Sequence, residues 1–190
     1  MGCPMIRIRD EMQWFVRVSF DAQLEAELSI ALAFSLSRHA TGIDRRVGNG
    51  ETVIRSQTMG ISLSEKTVGI VGMGDMYIQN ARKWRSVCSA NNIGCGPVVP
   101  KEAWADISRK RIDTLQGLLP EADVVTLRVP LLPTTRGLIG EEELSLMKRN
   151  PILVNTARGR LVDEKVSGCW RRSKRGSYVA QYSMQWRSSR

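Results

Sequence analysis

The sequence has little of what several classes of site require. Its 190 residues include four cysteines, with no C-x-x-C pair, and a single histidine, so we do not expect a metal site. No apolar run approaches the roughly 20 residues that span a bilayer, and the N-terminus lacks the basic leader and apolar block of a secretion signal. Scattered thiols without a leader predict a reducing, cytoplasmic setting and no membrane partner.

Acidic residues are missing from the end of the chain. The net charge is +9, and six of the basic residues lie in 167–190, where there is no Asp or Glu. This segment is rich in Arg, Ser, Trp and Gly and shows no hydrophobic period. We therefore predict an irregular, disordered basic tail at 167–190, and we do not expect nucleic acid as a partner.

Apolar strands alternate with helical patterns through the middle of the chain. A long helix is expected at 21–38, followed by a polar connecting segment at 41–66. Strands are then expected at 67–71, 93–99, 124–129 and 152–155, and helices at 76–85, 114–120 and 141–148. Strands that alternate with helices predict an α/β fold with a doubly wound parallel sheet.

Gly72 and Gly74 form a G-x-G turn between the first strand and a helix. In a dinucleotide-binding turn, the first glycine makes the bend and the second lets the backbone approach a pyrophosphate at the helix N-terminus. Tyr77 stands where a third glycine is expected, and we expect its ring to obstruct the packing of the helix on the strand. Gly96 stands where the fingerprint places an acid. The motif alone leaves a plain β–α turn as an equal alternative.

Arg158 follows the strand at 152–155. An arginine at the carboxyl end of a parallel strand is suited to bidentate binding of a small carboxylate or phosphate. From the residue type alone, an ion pair with a neighbouring carboxylate or a helix cap is the stronger alternative. His39 ends the leucine-rich helix, where a cation is favourable, and we expect a structural role for it.

Together these segments resemble the D-isomer-specific 2-hydroxyacid dehydrogenase family, over about residues 24–166. The segments that carry the resemblance are 25–38, 66–74, 122–125, 129–131, 134–139, 155–159 and 162–164. The resemblance implies a Rossmann-type domain that binds NAD or NADP, with Tyr77 and Gly96 departing from the pattern and weakening cofactor binding. It implies hydride transfer between the nicotinamide and C2 of a small 2-hydroxy or 2-oxo acid, and a homodimer.

The resemblance also implies the residues of the site. Arg158 would be catalytic, holding the carboxylate and carbonyl of the substrate. The cofactor would be bound by Gly72, Gly74, Met76, Tyr77, Val129, Pro130, Thr156, Ala157 and Arg158. The histidine and the glutamate that complete the family's reaction have no match after residue 166, so the enzymatic activity of this chain is left open.

We therefore expect a sheet that is incomplete and a chain that is truncated at both ends. Residues 1–23 would be a remnant of the substrate domain or disordered, 24–166 a partial NAD(P)-binding domain, and 167–190 the tail. Three functions remain open: a catalytically impaired oxidoreductase, a non-enzymatic dinucleotide-binding or corepressor-like module, and a non-functional gene product whose missing strands expose apolar sheet edges.

Overall fold

A six-stranded, wholly parallel sheet organises the described part of the chain. The computed structural model describes residues 18–96, 109–163 and 178–181. The strands are β1 Thr67–Val71, β2 Asn91–Cys95, β3 Arg109–Arg111, β4 Val124–Leu127, β5 Ile152–Asn155 and β6 Tyr178–Gln181. They lie in the order β3-β2-β1-β4-β5-β6, which is the Rossmann order, so the predicted α/β fold class is confirmed.

Helices cover both faces of the sheet. They are α1 Val18–Ser37, α2 Ala40–Gly48, α3 Asp75–Cys88, α4 Leu115–Leu118 and α5 Glu141–Leu146, with short 3-10 turns at Arg55–Gln57 and Gly159–Leu161. Within the described residues, no helix has both the length and the apolar character needed to cross a bilayer.

The core divides into two apolar clusters because successive strand residues point to opposite faces. On one face, Ile70 and Val154 pack with Trp84 of α3 and Ala33 of α1. On the other face, residues such as Leu153 pack with α4 and α5. Every residue of β4 and β5 is buried, which is typical of the centre of a parallel sheet.

Helix α2 lies in the segment predicted to be a polar connection. It begins after His39, whose φ of 55° turns the chain sharply at the end of α1. None of its residues is buried. Because this nine-residue segment contains Gly42 and Gly48 and is polar on average, its intrinsic helix propensity is low, and the sequence favours a connection over a helix.

Strand β6 is the main departure from the prediction for the C-terminal segment. We expected 167–190 to be irregular and the sheet to be incomplete, but Tyr178–Gln181 pairs in parallel with β5. The reason is that β5 would otherwise present unpaired backbone groups, and Tyr and Val favour strands. A four-residue strand without flanking pattern is too short for periodicity to detect. The rest of the tail, and 1–17 of the predicted N-terminal remnant, lie outside the described residues.

Candidate functional site

The residues predicted to bind a ligand follow three neighbouring strands. Val71 pairs with Leu127, and Leu127 pairs with Asn155, so β1, β4 and β5 end side by side. We call this side of the sheet the carboxyl edge. The chain order of the strands reverses between β1 and β4, and ligands of open α/β sheets bind outside such a switch point.

Gly72 and Gly74 meet different constraints in the turn after β1. Gly72 has a φ of 105°, and a Cβ atom there would lie 2.4 Å from the carbonyl oxygen of Arg128, so no other residue fits without a shift of the backbone. Gly74 precedes the first residue of α3 and is exposed, with no atom within 4 Å of a Cβ built on it. The turn therefore has a packed side against β4 and an open side at the helix N-terminus.

Tyr77 does not obstruct the packing of α3, contrary to the sequence expectation. The residue is fully buried. A Cβ atom on Gly94 of β2 would lie 2.8 Å from Cε2 of Tyr77 and 3.0 Å from its hydroxyl oxygen. A glycine on the neighbouring strand therefore provides the room that a third glycine in the turn would otherwise supply. Met76, beside it in α3, is half-buried.

Gly96, directly after β2, is also closely packed, though less tightly than Gly72. A Cβ atom there would lie 2.9 Å from both the backbone nitrogen and the Cβ of Met73, which is buried inside the glycine turn. The carbonyl oxygen of Gly96 accepts a hydrogen bond from Nη2 of Arg111, at 3.0 Å. Sequence reasoning missed Arg111, because its three-residue strand is too short to show a period.

The loop that carries Arg158 is organised by the buried Asn155. The Nδ2 of Asn155 donates to the carbonyl oxygen of Arg158 at 2.7 Å, and its Oδ1 accepts from the backbone N–H of Ala157 at 3.2 Å. Arg158 itself is exposed, and its Nη1 donates to the carbonyl oxygen of Ala157 at 2.8 Å. Within the described ranges its guanidinium forms no ion pair, so the alternative of a carboxylate partner finds no support there.

Thr156 adds a polar group at the same place. The residue is 3% exposed, and its Oγ1 has no hydrogen-bond partner among the described residues. A buried hydroxyl without a partner costs about 1–3 kcal/mol unless something else satisfies it. Its position directly after β5 puts this unsatisfied group at the carboxyl edge.

Arg128 follows β4 and has an entirely different environment. Its side chain is 1% exposed, and its Nη1 donates to Oε2 of Glu25 at 2.8 Å, while Nη2 donates to the backbone oxygen of Glu25 at 2.9 Å. Burial lowers the pKa of Arg128 to about 10, and Glu25 opposes that shift. The pair ties α1 to the end of β4. Sequence reasoning missed it because the two residues lie far apart in the chain.

Val129 and Pro130 follow Arg128 at the carboxyl edge. The Cγ1 of Val129 would lie 3.0 Å from a Cβ on Gly72, which places the end of β4 against the glycine turn. Thr135 then folds the following loop by donating from Oγ1 to the carbonyl oxygen of Pro130 at 2.6 Å. The backbone N–H of Gly137 donates to the carbonyl oxygen of Arg160 at 2.9 Å, so the loops after β4 and β5 are joined.

His39 does not belong to the carboxyl edge. Glu25, in the first half of α1, reaches that edge through Arg128, whereas His39 follows the end of α1. At 1.5 Å per residue, the helix carries His39 about 20 Å from Glu25. Within the described residues, no three His, Cys, Asp or Glu side chains are grouped as a metal site requires.

The chain is similar to known proteins over most of its length. It is 38% identical to D-3-phosphoglycerate dehydrogenase of Methanocaldococcus jannaschii over 140 residues, which are 74% of this chain and 26% of that protein. It is 35% identical to glyoxylate reductase of Korarchaeum cryptofilum over 147 residues, 74% of this chain and 42% of the relative. The structure of the pyruvate reductase of Chlamydomonas reinhardtii superposes with a TM-score of 0.74 and 32% identity, over 85% of this chain and 48% of that chain.

The matched region is one part of these relatives. The chain spans less than half the length of each of the three. The family model described as D-isomer specific 2-hydroxyacid dehydrogenase, NAD binding domain, matches residues 30–166, well over half of the chain. The chain therefore belongs to the D-isomer specific 2-hydroxyacid dehydrogenase family, through the NAD-binding domain of that family.

Proposed function

We propose that this chain is the dinucleotide-binding unit of an NAD(P)-dependent oxidoreductase that acts on the CH–OH group of 2-hydroxy acids. The observation that carries the proposal is the carboxyl edge, where an open glycine turn and an exposed arginine follow strands of the same sheet. The relatives' names include phosphoglycerate dehydrogenase and glyoxylate reductase, which gives the substrate class of small 2-hydroxy and 2-oxo acids.

The residues present fit a dinucleotide. The exposed Gly74 leaves the backbone at the start of the 14-residue helix α3 accessible, and a helix N-terminus favours a diphosphate. Thr156 offers a buried hydroxyl in need of a partner. We assign the diphosphate to the turn from Gly72 to Met76 and Tyr77, and the nicotinamide half to Val129, Pro130, Thr156 and Ala157. The bound cofactor would supply a ring that gives or takes a hydride.

Arg158 would hold the carboxylate and the carbonyl of the substrate. Asn155 hydrogen-bonds to the backbone of Ala157 and of Arg158. The backbone of the arginine is therefore held in place although its guanidinium is exposed to solvent. A guanidinium matches a carboxylate with two parallel hydrogen bonds, and such charge-assisted bonds are roughly twice as strong as neutral ones. The substrate would thereby be oriented beside the cofactor.

Among the described residues, no histidine lies at the carboxyl edge to transfer the proton of the hydroxyl. Oxidation of a hydroxyl needs a base for its proton, and the only histidine in the sequence, His39, follows the far end of α1. The loss of an acid–base group lowers rates by about 10²–10⁴-fold. We therefore propose a catalytically impaired form, and the same observation favours, as the second function, a dinucleotide-binding module without catalysis.

Titration calorimetry of the full chain with NADH and with NADPH tests the binding proposal. Saturable binding is expected for at least one of them. Gly74→Val should weaken that binding by about tenfold or more, because the new side chain would occupy the open side of the turn, where the diphosphate is placed. Gly48→Ala, at another glycine with open space around it, is the matched control and should leave binding unchanged.

Two results would contradict parts of the proposal. If neither dinucleotide binds, or if Gly74→Val binds as well as the parent chain, the assigned turn is not a cofactor site. If the chain reduces glyoxylate or hydroxypyruvate with a turnover near the enzyme median of about 10 s⁻¹, the chain is not impaired and a group other than His39 transfers the proton.

We also propose a homodimer through α2 and the segment that follows it. Val47, Ile54, Met59 and Ile61 expose 59%, 51%, 61% and 40% of their surface there. Val47 and Met59 line a cleft of about 960 Å³. Sedimentation velocity should show a dimer, and Val47→Lys should give a monomer. Val87→Lys, at an equally exposed valine of α3, is the control. A monomeric parent chain would contradict this proposal.

The extent of the cofactor-binding unit and the compartment are further proposals. We place the unit at 24–166, with its first boundary inside α1. Limited proteolysis that left a stable fragment ending near 166 would support it, and cleavage within that range would contradict it. The proposed reducing, cytoplasmic setting agrees with Cys88 and Cys95, which are buried free thiols.

A further inference from the structure

We infer that Arg128 is a positioning residue for the dinucleotide site, because its buried guanidinium bonds helix α1 to the peptide group that supports the glycine turn. The inference rests on the proposed dinucleotide binding, since the effect it describes is on the affinity for the cofactor. Arg128 acts through Gly72, and its buried guanidinium does not contact the ligand. Loss of its bonds to α1 therefore weakens cofactor binding even where the chain stays folded.

The backbone of Arg128 contacts the glycine turn directly. Its N–H donates to the carbonyl oxygen of Val71, the last residue of β1, at 2.7 Å. The carbonyl carbon and oxygen of Arg128 would lie 2.7 Å and 2.4 Å from a Cβ atom on Gly72. The packed side of the turn is therefore the peptide group that follows Arg128, and a displacement of that group moves the surface on which Gly72 packs.

The turn has a second fixed contact on its other side. The N–H of Gly72 donates to the carbonyl oxygen of Cys95 at 2.7 Å, so Gly72 is held between the end of β2 and the end of β4. From there the chain continues to the open Gly74 and into α3. The direction of the backbone N–H groups at the start of α3 therefore depends on both contacts, and the one at β4 is provided by Arg128.

The side chain of Arg128 keeps its own peptide group in place. Nη1 donates to the carboxylate of Glu25 at 2.8 Å, and Nη2 donates to the backbone oxygen of Glu25 at 2.9 Å. The side chain is 1% exposed, so water competes little for these charge-assisted bonds. A guanidinium bonded through both of its terminal nitrogens is fixed in direction as well as in distance. Helix α1, which has 20 residues, thereby holds the peptide group against the turn.

The expected consequence is a cofactor site that is ordered before the cofactor binds. Backbone donors that already have the bound geometry lose little freedom on binding, whereas mobile donors must be ordered at a cost in binding free energy. Without the bonds to Glu25, the peptide group after Arg128 is less restrained, and so is the turn that packs on it. The affinity for the dinucleotide then falls by the cost of ordering the turn.

The test is titration calorimetry of the full chain with NADH and with NADPH, at a temperature where thermal melts show each variant to be fully folded. A loss of stability alone does not change the affinity under that condition, because the fraction able to bind stays near one. Arg128→Met, with an apolar side chain in place of the guanidinium, should weaken the more tightly bound dinucleotide by about tenfold. Arg128→Lys retains the charge but not the fork, and it should weaken binding by about threefold.

Glu27→Gln is the matched control on the same helix. Glu27 pairs with Lys83 of α3, and its side chain is 58% exposed, so its removal should leave the affinity within about twofold of the parent chain. If Glu27→Gln weakens binding as much as Arg128→Met, any loosened contact of α1 affects the site and the inference is overturned.

The outcomes also separate this inference from the proposal on which it rests. Absence of binding by the parent chain overturns the proposed dinucleotide site, and the inference with it. A folded Arg128→Met variant that binds within about twofold of the parent chain overturns the inference alone. If Arg128→Met does not fold, Arg128→Lys decides the question, since weaker binding supports the inference and unchanged binding overturns it.

Discussion

Two arginines at the ends of neighbouring strands have opposite environments in this molecule. Arg128 follows β4 and Arg158 follows β5, and in the sequence each is a cation that ends an apolar run. In the structure, Arg128 is 1% exposed and bonded to Glu25, whereas Arg158 is exposed and bonds only within its own loop among the described residues. The comparison shows that burial and partners, and not residue type or strand position, separate a structural cation from one available to a ligand.

The physical cause lies in the coverage of the two strand ends. Helix α1 reaches the end of β4, so Arg128 loses its water, and a buried charge is tolerated only with a paired countercharge. The end of β5 is closed by an asparagine instead. Asn155 satisfies the loop with a neutral side chain, which leaves the neighbouring arginine hydrated. At the end of β4 the arginine is therefore buried and paired, whereas at the end of β5 the arginine is exposed to solvent.

The largest effect is expected from Glu25→Gln. This change leaves the guanidinium of Arg128 buried without a countercharge, and removal of one partner of a buried pair costs about 3–5 kcal/mol. Because Glu25 is 24% exposed, water can partly replace it, and we expect a loss at or just below the lower end of that range, about 2–3 kcal/mol. Urea denaturation of the two chains, compared at equal m-values, measures it.

Glu27→Gln is the matched control on the same helix. Glu27 pairs with Lys83, but its side chain is 58% exposed, and an exposed pair contributes about 0–1 kcal/mol. Equal losses in the free energy of unfolding of Glu25→Gln and Glu27→Gln would show that the ion pair of Arg128 contributes no more than an exposed one. In that case the contrast between the two arginines would fail.

The difference between Arg128 and Arg158 also shows how much of the structure can be predicted from the sequence. The strand at 152–155 has the predicted bounds, and the glycine turn lies between a strand and a helix as predicted, because both follow from short-range patterns. The pairing of Arg128 with Glu25 joins residues far apart in the chain, and no local period encodes it. The same holds for Tyr77 and Gly94, where a departure from the glycine motif is compensated on another strand.

The second prediction tests whether Asn155 organises the loop that follows β5. Asn155→Ala removes the donor to the Arg158 carbonyl and the acceptor for the Ala157 N–H, and buried groups left without a partner cost about 1–3 kcal/mol. We expect a loss of about 2 kcal/mol in urea denaturation, smaller than or equal to that of Glu25→Gln. Asn91→Ala, which removes one exposed hydrogen bond to the Glu65 carbonyl, should change stability by at most about 0.5 kcal/mol. A loss in Asn155→Ala no greater than this control would mean that the loop is not organised by Asn155.

The smallest effect on stability is expected from Arg158→Gln. The side chain is exposed and its bond to the Ala157 carbonyl is local, so the free energy of unfolding should change by less than about 0.5 kcal/mol. Binding of oxalate to the dinucleotide-saturated chain should nevertheless fall by about tenfold or more, because a charge-assisted pair with a carboxylate is lost.

Arg160→Gln, at the next exposed arginine of the same loop, is the control and should alter neither quantity. A stability loss as large as that of Glu25→Gln would show that Arg158 has a structural role like that of Arg128. Unchanged oxalate binding would show that Arg158 does not bind the carboxylate. Only a variant that keeps its stability and loses the anion separates the two strand ends by function as well as by burial.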